Sequence, residues 1–169
     1  MAILSKSNIR LLIKQELPLI EGFIDLEQQL QPNGIDLTLR EIAMLQTPGK
    51  ITTENHKRIL SGLTPLTFDG MGFIYLAPGI YLVTYNEIVH LTTKVMALAR
   101  PRSSLLRCGV TVHTAVWDSG YSGRSQSLLV VYNTQGFHVQ RNARIIQLIF
   151  LELTQETESY DGFYQGENI

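Results

Sequence analysis

The sequence predicts an all-β fold of the sandwich, jelly-roll or barrel type, with one short helix near the N-terminus. From Gly72 onward, short runs of β-branched, aliphatic and aromatic residues follow one another closely. Residues typical of turns separate these runs, and only one segment of the chain has a convincing helical periodicity. Closely spaced short strands with turn signals between them are typical of sandwiches, jelly rolls and barrels.

The helix is predicted over Ser5 to Glu16. Ser5 is a suitable N-cap, because its hydroxyl can accept a hydrogen bond from the first turn of a helix. Ile9, Leu11, Leu12 and Ile13 form an apolar stripe that can pack on a sheet, and Pro18 stops the helix.

Strands are predicted over most of the remaining chain. Ile35, Leu37 and Leu39 alternate with polar residues, as strand residues do, after a turn at residues 31–34. Residues 47–70 are polar and interrupted by Pro and Gly, which predicts a long excursion with short strands at most. The further predicted strands are Phe73–Leu76, Ile80–Tyr85, Val95–Ala99, Val110–Trp117, Ser127–Tyr132 and Ala143–Leu153.

Composition limits the class of protein. The 169 residues suffice for one domain, and with 44% hydrophobic and 17% charged residues the chain is expected to be globular. A net charge of −1 without a basic run argues against nucleic-acid binding. No signal peptide or membrane span is expected, because no apolar run approaches about 18 residues. The single cysteine, Cys108, fits a reducing compartment and the cytoplasm, and it excludes a cysteine-ligated deaminase zinc site.

The stretch Ala99–Asp118 carries the strongest candidate site. It begins with a cationic, hydroxyl-rich turn, in which Arg102 and Arg107 offer bidentate donors for phosphate oxygens and Ser103 and Ser104 add hydroxyl and backbone donors. The alternative is a solvated turn that only separates two strands.

Asp118 closes this stretch directly after an apolar run and before a glycine turn. A carboxylate at that place can orient water or accept its proton. Gly120 and Gly123 permit a tight turn and the close approach of a ligand. The alternative is an aspartate that caps a hairpin turn.

Other polar residues are weaker candidates. Asp36 can hold the water shell of a metal ion or satisfy turn amides. Gln147 lies in an apolar strand and needs a partner, either protein backbone or phosphate. A histidine at a position such as His113 is more often a structural residue than a ligand.

The tail of residues 154–169 has almost no aliphatic side chains, so we expect it to be disordered or to be ordered by a ligand or a neighbouring subunit.

Five motifs in their order along the chain resemble the motif series of the dUTPase and dCTP deaminase superfamily. The arginine–serine turn and the R-I-x-Q-L-I-F strand are the most specific of them. The tail motif resembles that of the deaminase branch, although the whole is most similar to archaeal-type dUTPases. The motifs are PNGIDL (32–37), PRSSLLRCG (101–109), VWDSGYSG (116–123), RNARIIQLIF (141–150) and YDGFYQG (160–166).

The resemblance implies a single jelly-roll-like domain over residues 1–169 and a homotrimer with active sites between subunits. Residues 154–169 would close over the nucleotide. In this resemblance Asp118 would activate water, and Tyr121 would pack under the deoxyribose and exclude a 2′-hydroxyl. Asp36 would help to hold Mg²⁺ through water. Phosphates would be bound by Arg102, Ser103, Ser104, Arg107 and Gln147, uracil would be read by the hairpin around His113–Trp117, and Tyr160, Phe163, Tyr164 and Gln165 would belong to the closing tail.

One position favours hydrolysis over deamination. Deamination of cytosine without zinc needs a carboxylate that shuttles protons beside the base. In the deaminase branch this residue is a glutamate on a strand, and the matching position here is Val130. No Asp or Glu occurs between Ser119 and Leu151. The predicted reaction is therefore the hydrolysis of dUTP to dUMP and diphosphate, with a dCTP deaminase, a bifunctional enzyme or a non-catalytic nucleotide-binding trimer as alternatives.

Overall fold

Short antiparallel strands and three α-helices make up residues 2–169, the part of the chain that the computed structural model describes. The fold is mostly β, as predicted. The helices are α1 (Lys6–Ile13), α2 (Leu26–Gln29) and α3 (Ser103–Arg107). The strands are β1 (Ala2–Ile3), β2 (Ile20–Glu21), β3 (Leu30–Gln31), β4 (Gly34–Leu45), β5 (Leu63–Pro65), β6 (Phe73–Leu76), β7 (Gly79–Tyr85), β8 (Ile88–His90), β9 (Val95–Pro101), β10 (Val110–His113), β11 (Ser122–Gly123), β12 (Gln126–Val131), β13 (Phe137–Gln140) and β14 (Arg144–Glu152).

One large sheet contains most of the strands, in the order β1-β14-β4-β7-β12-β10. β3 and β5 pair with β4, and β9 pairs with β14. The long strand β4 pairs with β14 through its first half and with β7 through its second half, and its register to β7 shifts between Leu39 and Glu41. A bulge bends a strand and increases its twist, so β4 curls the sheet around the core.

Two smaller sheets complete the fold. β8 lies between β11 and β2, and β13 pairs with β6. The excursion over residues 47–70 contains only β5 and a 3-10 turn at Asn55–Lys57, which confirms its predicted irregularity.

The first half of β4 has no solvent-facing side. Ile35, Leu37 and Leu39 are fully buried, as their alternation predicts. However, Asp36 and Thr38, on the opposite face, are each only 1% exposed. Both faces of this part of the strand are therefore buried, and the polar groups of Asp36 and Thr38 need partners inside the protein.

The helix prediction needs two corrections. Ser5 caps α1 by accepting a hydrogen bond from the Asn8 amide, but the helix ends at Ile13, three residues before the predicted Glu16. The sequence analysis also predicted one helix, whereas residues 2–169 contain three α-helices. The arginine–serine segment, predicted as a turn, forms α3, because burial of Leu105 (6% exposed) stabilises one helical turn against the sheet.

The strand predicted over Val110–Trp117 is also shorter than expected. β10 ends at His113, and Trp117 instead makes an isolated antiparallel pair with Ala97 of β9. The chain between His113 and Trp117 thus leaves β10 and crosses to another strand, which moves Asp118 away from β10.

A buried carboxylate, Glu87, joins three elements. It lies between β7 and β8 and is inaccessible to solvent. Its Oε2 accepts a hydrogen bond from the Thr38 amide (2.9 Å), and its Oε1 accepts from Thr38 Oγ1 (2.6 Å) and Gln29 Nε2 (2.7 Å). Gln29 also donates to the carbonyl of Asp36 (2.8 Å). Glu87 therefore ties α2 and β4 to the turn between β7 and β8.

No helix in residues 2–169 is both long and apolar enough to cross a membrane.

Candidate active site

The first group of predicted site residues surrounds Asp36 where β4, β14 and β9 run side by side. On β14, Gln147 pairs with Asp36 of β4 on one side and with Arg100 of β9 on the other. Asp36 Oδ2 lies 3.3 Å from Arg102 Nε and 3.5 Å from Arg144 Nη1. We call Asp36, Arg102, Arg144 and Gln147 the guanidinium cluster.

Asp36 fixes the orientation of the arginines in this cluster. Its side chain is 1% exposed, whereas those of Arg102 and Arg144 are 30% and 32% exposed. Burial raises the pKa of Asp36, and the two guanidinium groups oppose that shift. A buried carboxylate paired with two half-buried arginines leaves part of each guanidinium free to bind an anion from solvent.

The other predicted phosphate ligands lie beside this cluster on α3. Arg102 precedes the helix, and its amide donates to the carbonyl of Ile145 on β14 (3.1 Å). Ser103, Ser104 and Arg107 are exposed along α3. Two positively charged guanidinium groups and two neutral serine hydroxyls therefore lie close together along the chain at the surface, an arrangement suited to a ligand with several phosphates.

The second group of predicted residues lines a cavity of about 620 Å³. Asp118 and Tyr121 contribute from the hairpin that follows β10, and Tyr160 and Tyr164 contribute from the tail. We call it the tail-covered cavity. Its lining residues are Leu45, Leu60, Ser61, Leu63, Leu82, Ala115, Val116, Trp117, Asp118, Tyr121, Ser125, Gln126, Tyr160, Tyr164 and Glu167.

Local backbone pairing presents Asp118 at this cavity. The backbones of Trp117 and Ala97 exchange hydrogen bonds of 3.1 Å and 2.9 Å, and the indole of Trp117 is buried. The amide of Tyr121 then donates to the carbonyl of Asp118 (3.1 Å), which closes a turn through Gly120. The Asp118 side chain is exposed and makes no hydrogen bond or ion pair to residues 2–169, so it is free to bind water.

The tail is ordered by contacts with its own chain, so the predicted disorder is wrong, whereas ordering by a ligand or a neighbouring subunit stays a prediction. Gln165 Oε1 accepts from the Ser122 amide (2.8 Å), and Gln165 Nε2 donates to the Gly120 carbonyl (2.9 Å). Gly120 has φ +82°, and a Cβ there would lie 2.1 Å from Ser159 Oγ. At Gly120, the close approach predicted for a ligand is thus made by the tail.

A carboxylate that the sequence analysis missed, Glu167, lines the same cavity. Tyr121 Oη donates to Glu167 Oε1 (2.8 Å), and Tyr121 is only 5% exposed. Burial raises the pKa of both side chains. The one sequence signal for Glu167 was its position directly after the Y-Q-G motif of the tail.

Charge distinguishes the two groups. Asp118 and Glu167 are the charged residues that line the tail-covered cavity, and no Arg or Lys of residues 2–169 lines it. None of the guanidinium cluster or of α3 lines the cavity either. β4 connects the two regions, since Asp36 lies near its start and Leu45 at its end.

Two further predicted residues lie outside both groups. His113, on β10, is exposed and does not line the cavity. Phe163 is 68% exposed, and the guanidinium of Arg58 lies 4.9 Å from its ring centroid. Arg58 comes from the excursion of residues 47–70, so this contact joins the excursion to the tail over the cavity.

Comparison with known proteins gives a consistent result. Residues 3–153 match the family described as dCTP deaminase-like. Over 99% of both chains, the sequence is 50% identical to a protein of Methanosarcina mazei named probable deoxyuridine 5′-triphosphate nucleotidohydrolase. A protein of Archaeoglobus fulgidus with the same name is 48% identical over 100% of this chain and 99% of its own.

The fold resembles a solved structure as well. The crystal structure of 2′-deoxycytidine 5′-triphosphate deaminase from Agrobacterium tumefaciens matches with a TM-score of 0.65 and 24% identity. The match covers 88% of this chain and 47% of that chain. At this level of identity the likeness concerns the fold.

Proposed function

We propose, from the premise that this chain belongs to the dCTP deaminase-like family, that it is a dUTP diphosphatase that hydrolyses dUTP to dUMP and diphosphate. Two relatives that share about half of its residues over almost their full length are named for the hydrolysis of this nucleotide. The chain is thus an enzyme of the hydrolase class, and the roles of its residues follow from the two groups described above.

The separation of charge between the two groups carries the proposal. A cavity that contains carboxylates and no cation repels a triphosphate, but it can accept the uncharged base and sugar of a nucleotide. The guanidinium cluster and α3 have the opposite character and suit the triphosphate. A nucleotide with a neutral end and a highly charged end matches this pair of surfaces.

Within one chain, no residue of the guanidinium cluster or of α3 lines the tail-covered cavity, so among residues 2–169 the cation-rich surface and the cavity are separate. We therefore infer that a complete active site combines the tail-covered cavity of one copy with the guanidinium cluster of another. A closed ring of identical subunits provides such a contact at each interface, and a homotrimer is the arrangement we propose.

The proposed mechanism divides the work between the two surfaces. Arg102, held by Asp36, binds the triphosphate together with Ser103, Ser104, Arg107 and Gln147 and stabilises charge that develops on the phosphate oxygens. Asp118 of the other copy orients a water molecule in line with the α-phosphorus and takes up its proton as the new P–O bond forms and the bond to the diphosphate breaks. This step produces dUMP and diphosphate.

Selection of the nucleoside falls to the cavity. Tyr121 is buried there, and its ring packs under the deoxyribose, where a 2′-hydroxyl would have no room. Backbone groups of the hairpin 113–117 read the uracil edge, which leaves buried groups unpaired when another base enters. His113 takes part only through its backbone, because its side chain is exposed.

The described residues fit a water-mediated magnesium site better than a direct one. Residues 2–169 contain no group of three His, Cys, Asp or Glu side chains that could hold a metal ion. Asp36 Oδ2 already faces Arg102, Arg144 and Gln31. Mg²⁺ usually keeps several waters and is held by one or two carboxylates together with substrate phosphates. Asp36 would hold such an ion through water, and the ion would neutralise charge on the triphosphate.

Deamination of dCTP is the second candidate, and one observation favours it. The tail brings Glu167 into the cavity, so the lack of acidic residues between Ser119 and Leu151 does not leave the cavity without a second carboxylate. Two observations oppose it. Val130, at the position of the deaminase glutamate, is 8% exposed and does not line the cavity. Glu167 is bound to Tyr121, on the side that we assign to the sugar.

Complementation between two inactive variants tests the proposal. We expect Asp118→Asn and Arg102→Ala to be inactive on dUTP when each is assayed alone. Subunits of the two variants, mixed in equal amounts and allowed to exchange, should regain about one quarter of the wild-type activity, because random assembly restores that share of interfaces with both halves intact. No recovery, despite demonstrated exchange, would overturn the shared site.

Product analysis with separate dUTP and dCTP tests the reaction itself. dUMP and diphosphate from dUTP, with dCTP unchanged, is the expected result. Release of ammonia or dUTP from dCTP would favour the deaminase. A nucleotide substrate and a single free cysteine, Cys108, are both consistent with the cytoplasm, where we expect the enzyme to act.

A further inference from the structure

One short segment, residues 28–33, contacts three of the four members of the guanidinium cluster. The carbonyl of Gln28 accepts a hydrogen bond from Arg144 Nη1. The carbonyl of Asn33 accepts from Gln147 Nε2 (3.2 Å). The segment that leads into β4 therefore shapes the cluster as well as the strands that carry it, and the sequence analysis had assigned this segment no role beyond a turn.

Gln31 makes the third contact, to the carboxylate of Asp36. Its Nε2 lies 3.2 Å from Asp36 Oδ2, 3.1 Å from the carbonyl oxygen of Gln28 and 3.3 Å from that of Gln29. Arg144 Nη1 donates to two of the same oxygens, Asp36 Oδ2 and the Gln28 carbonyl. Two donors and two acceptors thus form a closed ring, in which Gln31 occupies acceptor capacity that the guanidinium of Arg144 would otherwise use.

The chemical nature of these partners determines the orientation of the Gln31 amide. Two backbone carbonyls and an ionised carboxylate can only accept hydrogen bonds, so the nitrogen of the amide, and not its oxygen, faces them. Gln31 therefore acts on the cluster as a hydrogen-bond donor. A side chain of the same length that lacks a donor could not take its place.

The main chain of Asp36 is held independently of Gln31. Gln29 is 1% exposed, and its Nε2 donates to the Asp36 carbonyl (2.8 Å) and to Glu87 Oε1 (2.7 Å). The Oε1 of Gln29 accepts from two backbone amides of the preceding segment (2.8 Å and 2.9 Å). The freedom that remains to Asp36 is rotation of its side chain, and the hydrogen bond from Gln31 restricts this rotation together with the two arginines.

We propose that Gln31 is a positioning residue, which holds Asp36 Oδ2 toward Arg102 and keeps the guanidinium of Arg144 available to an anion. Without the donor of Gln31, Arg144 alone would bind the two shared oxygens, and Asp36 would lose one of the contacts that align it with Arg102. Both changes weaken the binding of a phosphate by the cluster. The inference rests on the proposed function where it identifies this anion as the triphosphate of a nucleotide.

Direct binding of two fragments of the nucleotide tests the role of Gln31. Inorganic diphosphate, added without a divalent metal, reports on the guanidinium cluster, and 2′-deoxyuridine reports on the tail-covered cavity. Gln31→Met keeps the length of the side chain and removes its donor. In this variant we expect the dissociation constant for diphosphate, measured by calorimetry, to rise about fivefold, as for the loss of one hydrogen bond. The constant for 2′-deoxyuridine, measured by NMR titration, should change by less than about twofold.

Gln28→Met is the matched control. Gln28 is exposed, its side chain donates to Asp25 Oδ2 (2.8 Å), and the carbonyl that binds Arg144 belongs to its main chain. This variant should bind diphosphate as the wild type does. Arg102→Ala shows where the probe binds, because it should weaken diphosphate binding by at least about tenfold.

A double variant tests whether Gln31 acts through Asp36. Asp36→Ala removes the carboxylate that Gln31 binds, so Gln31→Met should have little left to change in that background. We expect Gln31→Met/Asp36→Ala to bind diphosphate less than about twofold more weakly than Asp36→Ala alone.

The proposal would be overturned by a wild type that does not bind diphosphate, by binding that survives Arg102→Ala, or by an unchanged constant in Gln31→Met. An equal effect of Gln28→Met, an equal loss of 2′-deoxyuridine binding, or fully additive effects in the double variant would overturn it as well. Failure of the proposed function looks different. If the wild type did not hydrolyse dUTP but the binding results were as expected, the role of Gln31 would stand and the assigned reaction would fall.

Discussion

Replacement of Glu87 by glutamine removes a charge and little volume, and it tests how the protein tolerates a buried carboxylate. The two oxygens of Glu87 accept three hydrogen bonds, two from Thr38 and one from Gln29. A glutamine has one acceptor oxygen, and its amide nitrogen cannot accept. In either orientation of the amide, at least one of these buried donors loses its partner.

The expected cost follows from that count. An unsatisfied buried donor costs about 1–3 kcal/mol, so the free energy of unfolding of Glu87→Gln should fall by that amount at neutral pH. Urea unfolding followed by Trp117 fluorescence, at one fixed protein concentration, measures it.

Glu41→Gln is the matched control. Glu41 is an exposed carboxylate whose Oε1 lies 3.0 Å from Arg40 Nε, so its loss should change the free energy of unfolding by less than about 0.5 kcal/mol. A change below about 0.5 kcal/mol for Glu87→Gln as well would refute the reasoning, since the buried hydrogen bonds would then contribute nothing.

Three further outcomes are expected. Burial raises the pKa of Glu87 in the folded protein above its ordinary value of 4.5. Protonation of Glu87 therefore stabilises the folded state. This stabilisation is complete below the ordinary pKa and is lost as the pH rises through the raised pKa of the folded state. The difference in the free energy of unfolding between the wild type and Glu87→Gln should therefore increase as the pH falls. Urea unfolding of both proteins at several pH values measures this difference. Asp118→Asn should lower kcat by at least about a hundredfold and leave the affinity for dUTP, measured by calorimetry, nearly unchanged. Asp36→Asn should raise KM for dUTP about tenfold, because Arg102 loses its charged partner, and steady-state kinetics will show whether it does.

Sequence patterns predicted the sheet well, because burial of apolar side chains determines its strands. Phe73–Leu76 coincides with β6, and Val95–Ala99 extends by two residues in β9. The short helix α3 was missed, because its five residues contain too few turns for a helical period and depend on one buried side chain, Leu105.

The tail was mispredicted for a different reason. Its aliphatic content is low, so it has no apolar periodicity from which order could be predicted. The tail is instead held by hydrogen bonds from Gln165 to the backbones of Gly120 and Ser122, about 40 residues away in the sequence. Glu87 and Glu167 were overlooked for the same reason, since the donors that surround them come from distant parts of the chain. The place of Asp118 at the cavity could be predicted because it depends on local order: Asp118 directly follows the buried Trp117 and precedes a turn closed by the Tyr121 amide.

The separation of the guanidinium cluster from the tail-covered cavity has a consequence for the cell. If each active site is formed by two different polypeptides, a single newly synthesised chain is inactive. The specific activity then depends on protein concentration when that concentration is close to the dissociation constant of the oligomer. A chain with a mutation in one of these two surfaces still contributes its intact surface to an active site that it shares with a neighbouring subunit. Two alleles with mutations in different halves of the site would then partly compensate each other in the same cell, whereas neither would function alone.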